Sequence, residues 1–417
     1  MLKTDRNGIE IMAPAGSFES LVAAIQAGAD SVYFGAGQLN MRAQSSFNFR
    51  PKDIRKIVNF ADRHHVKTYL TLNSVVYNEE LPAIRKIISI AREACITAII
   101  ASDQAVISEA RNQQVEVHLS TQLNISNIDS LKLYAPYADV VVLARELTLS
   151  QVREIARKII QEQIKGPSGQ LIRLELFIHG ALCMAISGKC YLSLHQYNHS
   201  ANRGDCLQAC RRPYLVTEKE TGKELEIDNE FIMSPKDLST ITILDQILQS
   251  GVKILKIEGR GRPPEYVKTV TTCYREAVDA IYSGEYNQSN IRKWQSELSM
   301  VYNRGFWEGY YLGKSFGEWN DTYGSKSKKV KIYIGKGLNY FKKVRAAEFL
   351  IETNSLLAGD EVIISGPTTG VIQTWINEIR IDDSIVIKCK KGDRITIPVD
   401  HPVRRSDKLY KLVERKD

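Results

Sequence analysis

Residues 9–37 read IEIMAPAGSFESLVAAIQAGADSVYFGAG, and the pattern of this stretch recurs through most of the chain. The apolar runs at 9–15 and 31–37 are short and rich in residues that favour extended structure, so each reads as a buried strand. Between them, 17–29 places apolar residues three and four apart, the spacing of a helix that packs one face on a sheet. Strand, helix and strand in this order predict two parallel strands joined by a crossover.

The unit repeats. Further strand-like runs are VKTYLTLN (66–73), ITAIIAS (96–102), VEVHLST (115–121), ADVVVLA (138–144), IRLELFIHG (172–180) and VKILKIEG (252–259). Amphipathic stretches separate them, among them 51–65, 80–94, 103–113 and 148–163. Eight such units predict an α/β chain folded as a TIM-like (β/α)8 barrel, since a doubly wound sheet would use fewer strands and a Gly-rich dinucleotide turn. Chemistry in such a barrel sits at the C-terminal strand ends. The polar residues expected there are Asn73, His118, Ser120, Thr121, Arg145, His179, Glu258 and Arg260.

One loop breaks the rhythm. Between the seventh and eighth strands an insertion, roughly 180–235, is longer than a structural connection needs and is therefore read as functional. Past residue 325 the texture changes to short strands with turn signals, which predicts a small antiparallel β-barrel at 326–417 after a barrel domain at 1–325. WNDTYGSKSKK (319–329) reads as the linker.

Hydrophobic residues make up 43% of the 417 and charged residues 25%, which suits a chain folded throughout. No apolar run is long enough to cross a bilayer and the first residues lack an export signal, so the expectation is a cytoplasmic protein without membrane contact. The net charge of +8 is concentrated at one end. From 326 to 417 there are 19 Lys and Arg against 12 Asp and Glu, a surplus of seven. Such a basic module points to a polyanion such as RNA, against the plainer reading of a soluble basic domain. Lys328, Lys329, Lys342, Lys343, Arg404 and Arg405 are the candidate phosphate contacts. Tyr340 and Phe341 beside them suit base stacking or the strand core.

Seven cysteines in so long a chain do not suggest a disulfide scaffold. Four of them fall within 28 residues, in HGALCMAISGKCYLSLHQYNHSANRGDCLQACRRPY (179–214), as C-x6-C-x15-C-x3-C. Soft thiolates at Cys183, Cys190, Cys206 and Cys210 narrow the metal to an iron-sulfur cluster or zinc, and only the second pair has the tight spacing of zinc ribbons. Gly180, Gly188 and Gly204 allow close turns, while Arg203, Arg211 and Arg212 place positive charge beside the thiolates. Cys95, Cys273 and Cys389 lie in apolar surroundings and are read as core.

The segments IMAPAGSFESLVAAIQAGADSVYFGAGQLNMRA (11–43) and ELFIHGALCMAISGKCYLS (175–193) resemble the collagenase-like peptidase family, and the C-terminal segment resembles that family's β-barrel extension. Within the family the resemblance is closest to the members that hydroxylate tRNA. It implies a 4Fe-4S cluster on Cys183, Cys190, Cys206 and Cys210, prephenate as co-substrate, conversion of wobble uridine to 5-hydroxyuridine, and room for a partner protein of the same family. Other relatives act on ribosomal RNA or quinone precursors. For the peptidase chemistry of the family name, the chain has neither H-E-x-x-H nor G-x-S-x-G.

Under that reading Arg42, Arg145, Arg211 and Arg260 are the candidates for holding a dicarboxylate, each set against simple pairing with a neighbouring acid such as Glu146 or Glu258. His118 and His179 suit proton transfer or a satisfied core position. Glu175 and Glu258 lie in apolar strands and need a cationic partner or a catalytic role. Asn73, Ser120, Thr121 and Asn124 suit either a uracil edge or the capping of helices.

Overall fold

The computed structural model describes residues 8–43, 48–214, 231–313, 317–382 and 384–415. Local signals start the helices. The Ser17 hydroxyl accepts the Ser20 amide, Asp103 accepts from Ala105, Asn127 from Ser130, and Thr148 forms a capping box with Gln151. Each cap satisfies amides that the first helical turn leaves open.

In order the barrel elements are β1 (Glu10–Pro14), α1 (Phe18–Gln26), β2 (Ser31–Gly35), α2 (Ile54–Asp62), β3 (Lys67–Leu72), α3 (Leu81–Glu93), β4 (Ala98–Ala101) and α4 (Gln104–Asn112). There follow β5 (Glu116–Leu119), α5 (Ile128–Tyr134), β6 (Val140–Val142), α6 (Leu149–Gln161), β7 (Arg173–Gly180), α7 (Leu192–Tyr197), β8 (Asp237–Ser239), α8 (Leu244–Gln249), β9 (Ile254–Ile257), α9 (Pro264–Ser283) and α10 (Gln288–Met300). Strands β1 to β7 pair in sequence order, all parallel. β9 then pairs with both β7 and β1, in parallel, and closes the ring. The eight parallel strands with intervening helices are the TIM-like barrel that the sequence predicts. The short strand β8, paired antiparallel to the end of β7, is an addition.

Alternation sorts the side chains. Met12, Tyr33, Tyr69, Ala98, Ile100, Val140 and Ile254 fill the inside of the ring, while neighbours such as Ile11, Val32, Leu70, Ile99 and Leu255 face the helices. The inside also carries charge, which is costly to bury unless paired. At the N-terminal end Glu10 accepts from Lys67 and Tyr69, and Arg173 bridges to Glu116.

After β10 (Phe306–Trp307) the chain enters β11 (Lys329–Phe341), β12 (Ala346–Ile351), β13 (Ser355–Leu357), β14 (Glu361–Gly366), β15 (Gly370–Trp375), β16 (Ile379–Ile381), β17 (Ser384–Val386), β18 (Lys388–Lys390), β19 (Arg394–Pro398) and β20 (Lys408–Glu414). Eight of these form an antiparallel sheet ordered β15-β14-β20-β11-β12-β19-β16-β17, and β13 pairs with β18. The sheet has its own core around Ile334, Phe349, Ile364 and Ile395. It is seated on the barrel, with Ala23 of α1 packed against Ile363 and Val371, Gln26 bonded to the Thr369 carbonyl, and Lys331 paired with Glu265 of α9.

Two local expectations change. The segment read as a linker lies packed against the barrel: the Asn320 amide donates to Ser234, Lys326 to Asn303 and Lys328 to Ser299 through their backbones. Cys273 and Cys389 are buried as expected, whereas Cys95 is exposed, because it holds the left-handed turn (φ 61) that ends α3. Among the described residues no helix is long and apolar enough to cross a membrane.

Candidate active site

The insertion after β7 folds back over the C-terminal mouth of the barrel. Arg203 reaches the β3–α3 connection, forms a two-pronged contact with Glu80 at 2.8 and 2.9 Å, and stacks on Tyr77. The Val75 amide donates to Asn202, whose side chain accepts from Cys190 N. Arg211 ties the far end down through Ser234 and the carbonyls of Leu182 and Pro235. Residues 215–230 of the insertion lie outside the described residues.

Beneath this cover is a cavity of about 340 Å3, lined by barrel strand ends on one side and by the insertion on the other. Cys183, Cys190, Cys206 and Cys210 all line it. Burial raises the Cys210 thiol, Arg211 opposes this, and the other three cysteines add to the rise. Among the described residues no three His, Cys, Asp or Glu side chains are gathered closely enough to hold one metal ion. A tetrahedral zinc, with bonds of about 2.3 Å, would have to draw these thiols further in.

Among the described residues, seven Lys and Arg side chains line the cavity against one carboxylate, Glu258. Burial would raise that carboxyl, but Arg42, Arg145 and Arg260 outweigh it and hold it at about 2. Arg42 makes the direct contact, 2.9 Å. Arg260 instead donates to Asn40 and Thr71, and burial brings it down to about 10. Arg145 bonds the Ala181 carbonyl and lies over Phe177 at 4.0 Å; among the described residues no carboxylate touches it, Glu146 included. Arg211 likewise bonds carbonyls and a hydroxyl, so the four arginine candidates all line the cavity with different duties.

The opposite wall is neutral and polar. Asn73, Ser120 and Thr121 line it as expected. Ser120 donates to Gln122, and Gln122 to the Asn73 carbonyl at 2.6 Å. Asn124, by contrast, is the left-handed residue (φ 53) ending the turn 121–123 and does not line the cavity.

Three catalytic candidates sit elsewhere. His179 is packed among Tyr266, Tyr274 and Phe306, outside the ring. Inward alternation through Glu175 and Phe177 would bring it inside, but a bulge between Phe177 and His179 turns it out. Burial, with Arg262 adding to it, depresses its ring to about 3. His118 and Glu175 do face inward, one layer below the cavity. His118 lies 3.3 Å from Glu116 and 3.6 Å from Glu175, and Glu175 accepts from Lys256 at 2.6 Å. Burial opposes charge on both, yet the pairing wins: the histidine is raised and the Glu175 carboxyl lowered. Lys256 itself reaches the cavity. Sequence reasoning missed it, although a lysine in β9 two residues before Glu258, which directly follows the strand, shares that residue's side in extended chain.

The sequence pattern of Peptidase family U32 matches residues 16–321. This chain belongs to that family. A collagenase of Porphyromonas gingivalis is 54% identical over 99% of both chains. A tRNA hydroxylation protein of Bacillus subtilis is 34% identical over 86% of this chain and 83% of its own. A 23S rRNA 5-hydroxycytidine synthase of Escherichia coli is 36% identical over 66% of this chain and 40% of its own. U32 members thus carry names from both RNA hydroxylation and proteolysis.

On the C-terminal sheet Lys328, Lys342, Lys343, Arg404 and Arg405 are exposed, while Lys329 is turned inward to pair with Glu361. The 399–406 loop runs beside the β11–β12 hairpin through bonds from the Val399 amide to the Arg345 carbonyl and from the Ser406 amide to the Gly337 carbonyl, so Arg404 and Arg405 flank the hairpin that carries Lys342 and Lys343. Tyr340 packs inward and donates to the Val399 carbonyl; Phe341 is exposed.

Proposed function

We propose that this U32 chain is an RNA-modifying hydroxylase that converts uridine in tRNA to 5-hydroxyuridine, with prephenate as co-substrate and a 4Fe-4S cluster on Cys183, Cys190, Cys206 and Cys210. The observation that carries the reading is the placing of all four thiols around one cation-lined cavity at a barrel mouth. An all-thiolate donor set suits an iron-sulfur cluster, and thiols set around a shared cavity suit a group larger than one ion. The RNA-hydroxylating relatives support the substrate class.

Replacing the C5 hydrogen of uracil by hydroxyl is an oxidation that side chains alone do not supply; the cluster, when bound, supplies redox or Lewis-acid chemistry at that place. The protein's own part is binding and orientation. Asn73, Ser120 and Gln122 offer donors and acceptors for a uracil edge, and arginines offer carboxylate contacts. The exposed basic residues of the sheet domain supply phosphate contacts for the RNA.

Mass spectrometry of tRNA nucleosides from a strain deleted for this gene and its redundant relatives tests the reading. The wild-type gene should restore 5-hydroxyuridine and Cys210→Ala should not; failure of the wild type to restore it ends the proposal. The collagenase name of the 54% identical relative favours a second reading, peptide hydrolysis. The same anaerobic preparation assayed on gelatin would reveal it.

A further inference from the structure

A column of charged side chains runs inside the barrel from the cavity towards the N-terminal strand ends. Lys256, which lines the cavity, donates to Glu175 at 2.6 Å. Glu175 Oε2 lies 3.6 Å from His118 Nδ1, and His118 Nε2 lies 3.3 Å from Glu116. Lys256 is 4% exposed and Glu175 and His118 are fully buried, whereas the side chain of Glu116, the first residue of β5, is 31% exposed. Around the column, Tyr69 of β3 lies against the His118 ring and Lys256 lies over Tyr33 of β2. Arg173 of β7 pairs with Glu116, and Lys67 and Tyr69 bond Glu10 of β1. The inward residues of β4 and β6 are apolar: Ala98, Ile100 and Val140. Stability does not call for charge here, because a buried ion pair is often no better than apolar side chains of the same volume. Moreover, His118 Nδ1 and Glu175 Oε2 are buried without a hydrogen-bond partner among the described residues. Two polar atoms are thus left open at a cost, and they face each other across a gap that a small rotation of either side chain closes.

We propose that Lys256, Glu175, His118 and Glu116 form a proton relay along the barrel interior, linking the cavity to water at the N-terminal end of the strands. In the outward direction Lys256 takes a proton from the cavity and gives one of its own to the Glu175 carboxylate. Glu175 passes a proton to His118 Nδ1, His118 releases the proton on Nε2 to Glu116, and Glu116 releases one to water. Each N–H or O–H bond broken is matched by one formed, no electrons move, and every carrier regains its charge. A half-turn of the imidazole restores its starting tautomer. The reverse sequence carries a proton inward. The relay deepens the proposed function, since exchanging a C5 hydrogen for hydroxyl moves protons at the cavity, and it rests on that reading for the reaction it serves.

Exchange of the ring N–H of His118 with solvent, followed by NMR on the full-length, anaerobically purified chain labelled with 15N-histidine, tests the relay. His118→Phe identifies the signal by removing it. His179, equally buried but set among aromatic rings, is the internal control. His118 should exchange about ten-fold or more faster than His179, and Glu116→Gln, which keeps a hydrogen-bonding side chain but cannot carry a proton, should remove most of that advantage. Arg173 still has Glu10 at 3.8 Å in that variant, so the fold is not at stake. In a single turnover at saturating tRNA, His118→Phe should form 5-hydroxyuridine about ten-fold or more slowly, with tRNA affinity unchanged. Glu175 keeps Lys256 there as its partner. Exchange at His118 as slow as at His179, or indifferent to Glu116→Gln, overturns the relay, as does a His118→Phe protein that hydroxylates at the wild-type rate. A wild type that makes no 5-hydroxyuridine but shows exchange dependent on Glu116 overturns the proposed reaction and supports the relay.

Discussion

At the scale of single residues, the inside of this barrel is unusual for its charge, and His179 shows how one position departs from its strand. The unfolded chain takes up a proton on this histidine near its ordinary value of about 6.5, whereas the folded ring, depressed to about 3 by burial, stays neutral. The unfolded state therefore binds more protons between those values, and stability falls as pH drops through that window. Glu258 acts lower, from about 4.5 down to about 2, where protonation removes its ion pair. His179→Phe should thus flatten the loss of stability between about pH 7 and about pH 5, measured as the urea midpoint of each protein at both values. An equal acid slope in the two proteins would show that the ring is not buried neutral.

The same position marks what sequence could not disclose. Reading Glu175 and Glu258 as acids in apolar strands called for a cationic partner or a catalytic role, and each has a cation beside it, Lys256 and Arg42. Reading His179 as a strand-end residue did not show which way it faces, because a bulge is one residue's change of parity with no composition of its own. Gly180, held at φ 105 with the Glu258 carbonyl where a Cβ would sit, is the trace it left. His118 failed differently. Its parity is right, but it lies two residues before Ser120, about 6.6 Å deeper in the ring.

At the scale of elements, the eight barrel strands and the antiparallel sheet were legible because each is a repeated pattern that burial enforces over several residues. The insertion was legible only as an interruption. What holds it, the Arg203–Glu80 fork and the Arg211 contacts, joins residues far apart in sequence. Arg203→Ala should free the insertion while the barrel stays folded, since the fork is worth about 1–3 kcal/mol and touches no barrel core. Limited proteolysis should then cut within 181–214 faster than in the wild type, with the main thermal transition shifted by only a few degrees. Unchanged cleavage would mean that other contacts suffice to hold the cover.

At the scale of the molecule, the surplus of positive charge predicted for the last fifth of the chain resolves into a smaller exposed group along the β11–β12 hairpin and the loop beside it. Of the residues proposed for it, Lys329 is spent on Glu361, while Lys342, Lys343, Arg404 and Arg405 face water. Reversing those four to Glu should weaken tRNA binding and lower the slope of log affinity against log salt by about 0.7–0.9 for every phosphate no longer neutralised. Filter binding across a salt series measures it. A slope identical to that of the wild type would place the RNA on another face.

The sheet is seated on α1 and α9 and the segment that leads to it is packed as well, so contacts and not a bare tether set its place beside the barrel. Those contacts also set the separation between its exposed basic residues and the barrel mouth. Under the proposed function, an RNA that reached both points would have to offer a matching span, and would be selected by separation as well as by touch.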